Sequence, residues 1–458
     1  MLRAAALRIV PAAVVAAVLA ALTAWTIGSL GYFRPKQPGL HLWAYTAEWV
    51  LFAAAVLPLR LVPRRAAPAL VLAGAAVIGG CALAAPPTTS TDAARYSWDG
   101  IVQDAGVSPY ADVPADAALA RLRPDWLFPA GRPTADGSAR CPRLTLRTHE
   151  VGGAKEICTA INRPLVHTIY PPVAEIAFAL VRLPVPASVA YLPVQLLGLA
   201  AVLGTTALLV RALRRRELPV HRAALFAWCP LTAQAGVNDA HVDGLAVLLA
   251  FGATLLVASG RPLRGGVLLG LAIATKFTPL LVVPPLIRRR PVAVLAAAAG
   301  AVAVVYVPYL LASGGGVLGY LPGYLNEEGY DDGTRSAVLG AVLPGAASTA
   351  VAALVVAATA VVVLLKADPR GPWTGQLVVV AVALLVLSPR YAWYALLLLP
   401  PVAMTGRWEW LAVPAALLAI QLESGWLPVP LVVLGAALVV VAGSAIRAIR
   451  RPSRLSVS

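Results

Sequence analysis

The sequence predicts an all-α fold, a polytopic transmembrane helical bundle of about twelve spans plus a re-entrant helix pair, with one large extracytoplasmic loop. Three observations predict it. Hydrophobic residues make up 59% of the 458 positions and charged residues only 13%, and the mean hydropathy is +0.78. Apolar runs of about 20 residues recur, the length that matches the hydrocarbon thickness of a bilayer. The Lys and Arg residues behind the net charge of +16 sit in short clusters between those runs. That is the positive-inside pattern of cytoplasmic loops, so topology accounts for the charge and no nucleic-acid partner is implied.

The run at 9–30 opens the chain. It is too long for a signal-peptide core and lacks a convincing A-x-A exit, so it is read as the first span. The second run, 42–61, is followed by Arg64 and Arg65 and contains Arg60 near its end, which puts that turn and the amino terminus in the cytoplasm. The third, 69–85, then delivers residues 86–186 to the outside. A fourth, 189–210, returns to Arg211, Arg214, Arg215 and Arg216. Runs at 223–237 and 242–258 read as a hairpin with the outer turn Asn238-Asp239-Ala240-His241, coming back inside at Arg261 and Arg264.

Residues 265–287 are long enough for one span, yet Arg264 precedes them, Arg288-Arg289-Arg290 follows, and Lys276 with Pro279 interrupts the middle. Both flanks belong in the cytoplasm. The segment therefore reads as two half-helices that dip into the membrane and return, with Lys276 and Thr278 near the apex, a geometry tolerated where the turn faces protein or water. The alternative is one ordinary span kinked at Pro279, which would invert everything downstream. The re-entrant reading puts Lys366, Arg370, Arg407 and the basic run 447–454 inside, and Glu327, Glu328, Asp331, Asp332 and Glu423 outside. The remaining spans are 292–312, 337–365, 373–387, 391–404, 408–422 and 427–446, so both termini are cytoplasmic. No long polar linker divides the chain, and residues 1–458 read as a single polytopic membrane domain.

Nearly all polar chemistry falls on the external side. The loop 86–186 is large enough for a small folded cap, and it contains Cys141 and Cys158, which can close a disulfide in an oxidising compartment. Cys81 and Cys229 lie within apolar runs and read as packing residues. No His/Cys cluster has zinc spacing, no Gly-rich phosphate loop follows a strand, and no Ser/His/Asp order is legible. The sequence implies neither a metal nor another cofactor.

Five elements recur in order along the chain: Asp92-x-x-Arg95-Tyr96-x-Trp98-Asp99-Gly100 with Ser108-Pro109-Tyr110; Tyr170-Pro171-Pro172; His241-Val242-Asp243; Thr275-Lys276-Phe277-Thr278-Pro279; and Ser388-Pro389-Arg390-Tyr391-x-Trp393-Tyr394. Their succession resembles the polyprenol-phosphate-sugar-dependent integral-membrane glycosyltransferases of the GT-C class, and most of all the mannosyltransferase-like glycosyltransferase family 87. The resemblance implies a GT-C-like bundle, a lipid-linked sugar donor, and metal-free transfer. Thr91 stands where such relatives commonly carry a second acid, Ser108 stands for the usual Asn, and two spans precede the one that leads into the loop where relatives often have none.

Transfer of a sugar from a lipid phosphate to a hydroxyl needs a base near the membrane surface, cationic stabilisation of the leaving phosphate, and room for an isoprenoid tail. Relatives carry a catalytic Asp in this external loop, which nominates Asp92 as base and Asp99, two helical turns on and nearly on the same face, as the second candidate. A simple helix N-cap is the other role open to Asp92. Lys276, Arg390 and Arg95 are the candidate donor-phosphate ligands, with snorkelling to lipid headgroups as the alternative for the first two. Tyr96, Trp98, Tyr110, Tyr391, Trp393 and Tyr394 are candidate sugar-stacking residues or interfacial aromatics. His241 and Asp243 are candidate substrate ligands, or a surface imidazole and a helix cap. The loop 320–330 reads either as an acceptor site or as an acidic solvated turn.

The expected activity is inverting transfer of a sugar, mannose by resemblance, from a polyprenyl-phosphate-linked donor to an extracytoplasmic glycan or glycolipid acceptor, by a multi-pass enzyme among cell-membrane lipids. A transporter or lipid-linked glycan flippase would instead need polar residues along a path through the bilayer, whereas here polarity collects on one face. A glycan polymerase using diphosphate-linked donors would share the outer loops but lack the 92–110 pattern.

Overall fold

The computed structural model describes residues 2–30, 39–134, 139–142, 145–330, 335–423, 425 and 427–450. Asp331, Asp332 and the basic positions 451–454 lie outside the described residues. The chain is built of helices, many of them opened by proline: Pro172, Pro262 and Pro291 are each a first helical residue, where the missing N–H costs no hydrogen bond and the fixed φ suits the helix.

Helices α1 (Leu2–Ser29), α2 (Leu40–Val56) and α3 (Ala67–Cys81) pack together at the amino end. Next come α4 (Asp92–Asp104) and, after a loop with two small hairpins, α5 (Pro172–Arg182). In that loop β1 (Arg132–Pro133) pairs antiparallel with β2 (Ala139–Arg140), and β3 (Leu146–His149) with β4 (Glu156–Thr159). The bundle resumes with α6 (Leu192–Arg215), α7 (Ala224–Ala227), a π-helical turn Thr232–Asn238, α8 (Asp243–Ala258) and α9 (Pro262–Ile273). A 3-10 turn, Thr278–Val282, leads into α10 (Val283–Leu286), then α11 (Pro291–Ser313), α12 (Leu321–Glu327), α13 (Ala337–Gly340), α14 (Gly345–Lys366) and α15 (Trp373–Leu387). A further 3-10 segment, Ala392–Leu398, runs into α16 (Leu399–Thr405), followed by α17 (Ala412–Glu423) and α18 (Val429–Ile449).

Six described segments are long and apolar enough to cross a membrane: Ile9–Ser29, Leu40–Leu61, Leu192–Arg215, Pro291–Glu327, Gly345–Lys366 and Val429–Ile449. The protein is thus an all-α, multi-pass membrane protein. Half of the α6 window is buried inside the protein, against 11% in Pro291–Glu327 and 17% in both α14 and α18. Those last three are the least buried of the six, and α6 is the most buried.

Several expected spans are shorter or broken. The run 223–237 splits after α7 because Pro230 cannot continue the hydrogen-bond ladder and restricts the residue before it. The turn 238–241 is not an exposed hairpin tip: Asn238, Asp239 and His241 are buried, and the π-helical turn meets α8 at 107°. Run 337–365 divides around Pro344 into α13 and α14. Runs 69–85, 373–387 and 391–404 become apolar helices too short for the full span length.

Helix α9 is wedged between α8 and α11 by its glycines. A Cβ on Gly266 would stand 2.5 Å from Val294 O, and one on Gly270 2.3 Å from Ala298 O, both on α11. Only a bare backbone permits this approach, the small-residue spacing of tightly packed membrane helices. It sets the position of the turn that carries Lys276.

Basic residues gather away from that turn. Arg261, Arg264 and Arg290 line one shallow surface pocket, and Arg216, Arg289, Arg290 and Arg370 line an adjoining one. The two flanks of 265–287 therefore meet at one surface, while Lys276 from its middle lines a separate cavity with Asp92.

Candidate active site

Asp92 owes its place to its neighbours on both sides. Upstream, the backbone N–H groups of Thr88 and Thr89 are bound by Asp239 at 2.9 and 3.0 Å. Downstream, α4 packs on α5 so closely that a Cβ on Gly100 would lie 2.7 Å from Phe178 O. Asp92 is the first helical residue, and Thr91, at the cap position, makes no side-chain capping bond. The carboxylate is thus free to enter a cavity of about 430 Å³ as the one acid among its described lining residues.

There Asp92 Oδ2 lies 3.6 Å from His241 Nδ1, and Oδ1 lies 3.4 Å from Asn162 Nδ2. Burial pushes the Asp92 carboxyl above the usual carboxylate range, opposed by the charges of Lys276 and Arg163. His241 is buried and stacks on Trp393 with ring centroids 3.7 Å apart; Trp393 in turn stacks on Tyr391 at 4.4 Å. Lys276 Nζ bonds Asp243 Oδ2 at 2.5 Å and lies 4.7 Å from the Tyr394 ring centroid. The hydroxyls of Tyr394 and Tyr324 are 2.9 Å apart, which joins the 391–394 segment to α12.

Of the nominated residues, Asp92, Arg95, Lys276, Tyr391 and Tyr394 all line this cavity. His241 and Asp243 stand directly behind it through Asp92 and Lys276. Asp243 opens α8 without a side-chain cap bond; its carboxylate is taken by Lys276. Asp99 does not reach the cavity. It is buried two turns along α4, with Arg95 Nε 2.8 Å from Oδ1 and 3.0 Å from Oδ2.

Behind Arg95 lies a second acid, Glu175, bound by the Thr168 hydroxyl at 2.7 Å and the Gln103 amide at 3.0 Å. Burial and then the Asp99 charge push the Glu175 carboxyl well up. Arg95 Nη2 has no partner among the described residues, and its guanidinium is held by Asp99 on one side and by the Val166 carbonyl, which accepts from Nη1 at 3.0 Å, on the other.

Tyr96, Trp98 and Tyr110 are buried, and protein occupies their rings. Tyr96 stacks on Phe178 at 4.5 Å, Trp98 meets Phe128 edge-on at 4.9 Å, and the Tyr110 hydroxyl donates to Tyr170 O at 2.5 Å. An α-helix turns successive aromatics to different faces, and those of α4 point into α5 and the loop. Arg390 is exposed and not among the lining residues, though Pro389 is.

Other cavity residues had no sequence signal. Asn162 and Arg163 arrive from the loop, held there by the β3–β4 hairpin, the Cys141–Cys158 disulfide and an Arg123–Glu150 ion pair at 2.5 Å. Arg163 Nε pairs with Glu327 of α12 at 2.7 Å. Arg335 lines the cavity and pairs with buried Glu328. The 320–330 stretch is thus a wall, with Tyr320, Tyr324 and Tyr330 facing in and its acids neutralised by arginines. Among the described residues no group of three His, Cys, Asp or Glu side chains could hold a metal ion.

The cavity thus sets a lone carboxylate among cations and aromatic faces, beside an apolar strip of Phe277, Leu281, Leu321, Leu384 and Leu387. Residues 168–389 match the family model for Glycosyltransferase family 87. The chain is a GT87-like glycosyltransferase. Neither a curated protein nor a solved structure matches it. In this GT87-like enzyme the match takes in His241, Asp243, Lys276, Tyr324 and Arg335, while Asp92 and the Tyr391–Tyr394 stack lie outside the matched range. Folding brings both sets to one cavity.

Proposed function

We propose that this GT87-like membrane glycosyltransferase moves a sugar, mannose by family resemblance, from a polyprenyl-phosphate donor to an extracytoplasmic glycan or glycolipid. Asp92 is the general base. It takes the proton of the acceptor hydroxyl, the freed oxygen attacks the anomeric carbon, and the bond from that carbon to the phosphate oxygen breaks with its electron pair on the departing lipid phosphate. Attack opposite the leaving group inverts the anomeric centre. Lys276 and Arg95 meet the charge that develops on the phosphate, Arg390 offers a further cation from the cavity's edge, and the apolar strip takes the first isoprene units.

In this reading the chain acts as one polytopic unit in the cell membrane. Its loop 86–186 and the cavity face outward, the arginine-rich surface and both termini face the cytoplasm, and 265–287 is re-entrant within about twelve crossings. The observation that carries the chemistry is Asp92 as the one carboxylate on the described cavity wall, within reach of His241 and beside Lys276. Incubating the purified protein with radiolabelled polyprenyl-phosphate sugars and a membrane glycolipid extract tests it. Label should pass to the glycolipid fraction only from the lipid-linked donor and only with Asp92 intact; equal transfer from a nucleotide sugar would refute the donor class.

A further inference from the structure

Three and four residues before Asp92, the backbone is held by a buried carboxylate that lines no part of the cavity. Asp239 is 0% exposed. Its Oδ1 accepts the N–H groups of Thr88 and Thr89, and its Oδ2 accepts the Thr89 hydroxyl and the Gln234 amide, the latter at 3.2 Å. Asn238 completes the grip: Oδ1 accepts the Thr88 N–H at 3.0 Å and hydroxyl at 2.6 Å, and Nδ2 donates to the carbonyls of Ala82 and Ala85, both at 3.0 Å. The stretch between α3 and α4 has no ladder of its own, so these side chains take the place of one.

The same turn also carries the groups that face Asp92. Ala240 has φ +54°, the left-handed region that a residue with a Cβ rarely adopts. That conformation lets the residues on either side of Ala240 point opposite ways, Asp239 toward Thr88 and Thr89 and His241 toward Asp92. Gln234, which also binds Asp239, accepts the Tyr45 hydroxyl of α2. The amino-terminal helices, outside the family match, are thereby tied to the same network.

We propose that Asp239 is a positioning residue: it fixes the Thr88–Thr89 backbone and with it the depth and direction at which Asp92 meets His241 and the bound substrates. This rests on Asp92 being the base. Thr91 makes no side-chain cap bond, so the local side-chain hold on the start of α4 is a single long bond from the Asp92 N–H to Ser90 Oγ at 3.2 Å, and the bonds from Thr88 and Thr89 to Asp239 fix the stretch just before it. An ångström of drift at the base is enough to cost turnover about 100-fold without touching donor binding.

The test is steady-state kinetics of the purified full chain with a polyprenyl-phosphate sugar and its glycolipid acceptor. Asp239→Asn should lower kcat about 10- to 100-fold with donor KM within about twofold, and the acid limb of the pH profile should remain because Asp92 still titrates. Thr89→Val, which deletes the hydroxyl donor to Asp239 together with a long 3.5 Å contact from the Gln421 amide, should lower kcat about fivefold, and the double variant should be no slower than Asp239→Asn alone, since the loss that matters in both is the Asp239–Thr89 contact.

Parental kcat in Asp239→Asn, a rise in KM at constant kcat, loss of the acid limb, or multiplicative losses in the double variant each overturn the proposal. Should Asp239→Asn not fold, Thr89→Val decides alone: the split between kcat and KM supports the proposal, and parental kinetics overturn it. Asp92→Asn, run alongside, separates the two readings. If it keeps parental turnover, the base assignment falls; if it is inactive while Asp239→Asn is parental, only the positioning role falls.

Discussion

Asp92 Oδ2 stands 3.6 Å from His241 Nδ1, slightly beyond a hydrogen bond, and His241 Nε2 has no partner among the described residues. The carboxylate is therefore oriented without being consumed. By contrast Asp99, on the same helix, has both oxygens engaged by Arg95. A base must keep a lone pair for the acceptor proton, and this difference separates two acids of similar position in the sequence.

Asp92→Asn keeps size and most hydrogen-bonding capacity but removes basicity, so turnover should drop about 100-fold or more while donor still binds. Asp99→Asn should act on stability instead, since weakening a buried ion pair costs on the order of 3 kcal/mol. Kinetics and thermal unfolding of matched preparations check both; parental turnover in Asp92→Asn with inactive but well-folded Asp99→Asn would swap the roles.

The pH dependence has a definite sign. Burial raises the Asp92 pKa and the Lys276 charge opposes that rise, so the base is lost as pH falls and turnover declines on the acid side. Lys276→Met removes the opposing charge, destabilises the carboxylate and should move the acid limb to higher pH. A limb that stays put or moves down, followed over pH 4 to 8 at saturating donor, would detach Asp92 from the rate.

Lys276→Ala should raise donor KM at least tenfold, because a phosphate loses a charged partner about 3 Å away. Arg390→Ala, at an exposed position outside the cavity lining, should raise it less. If the order is reversed, the phosphate sits nearer the 388–391 turn than the α9 turn.

Reducing the Cys141–Cys158 bond, which closes a sequence separation of 17, should cost on the order of 3 kcal/mol on the chain-entropy account. It should also weaken donor or acceptor use, since β4 leads directly to Asn162 and Arg163. Melting curves and KM values with and without reductant check this; identical values in both would make the bond incidental to the site.

Cysteine accessibility tests the orientation. A cysteine replacing Leu165 should label with an impermeant thiol reagent in intact cells, and one replacing Arg289 only after permeabilisation. Labelling of Arg289→Cys from outside would turn 265–287 into an ordinary span.

The sequence by itself determined the class of fold and pointed to several of the residues that line the cavity. Apolar runs of bilayer length and basic clusters between them are set by transfer free energy and need no partner to be legible. Asp92, Lys276 and the 391–394 aromatics were legible because charge or ring clusters beside apolar runs stand out locally.

What only the tertiary structure decided is which side of each helix faces what. It sent Tyr96 and Trp98 of α4 into the core and Asp92 into the cavity, broke run 223–237 at Pro230, and buried the turn 238–241. It also delivered Asn162, Arg163 and Arg335 to a site far from them in sequence. Hydropathy is a sum along a segment and survives without coordinates. A site is a set of directions that converge from distant segments, and those directions are fixed by close packing such as Gly270 on Ala298 and by buried bonds such as Asp239 to Thr89, which exist only once the chain has folded.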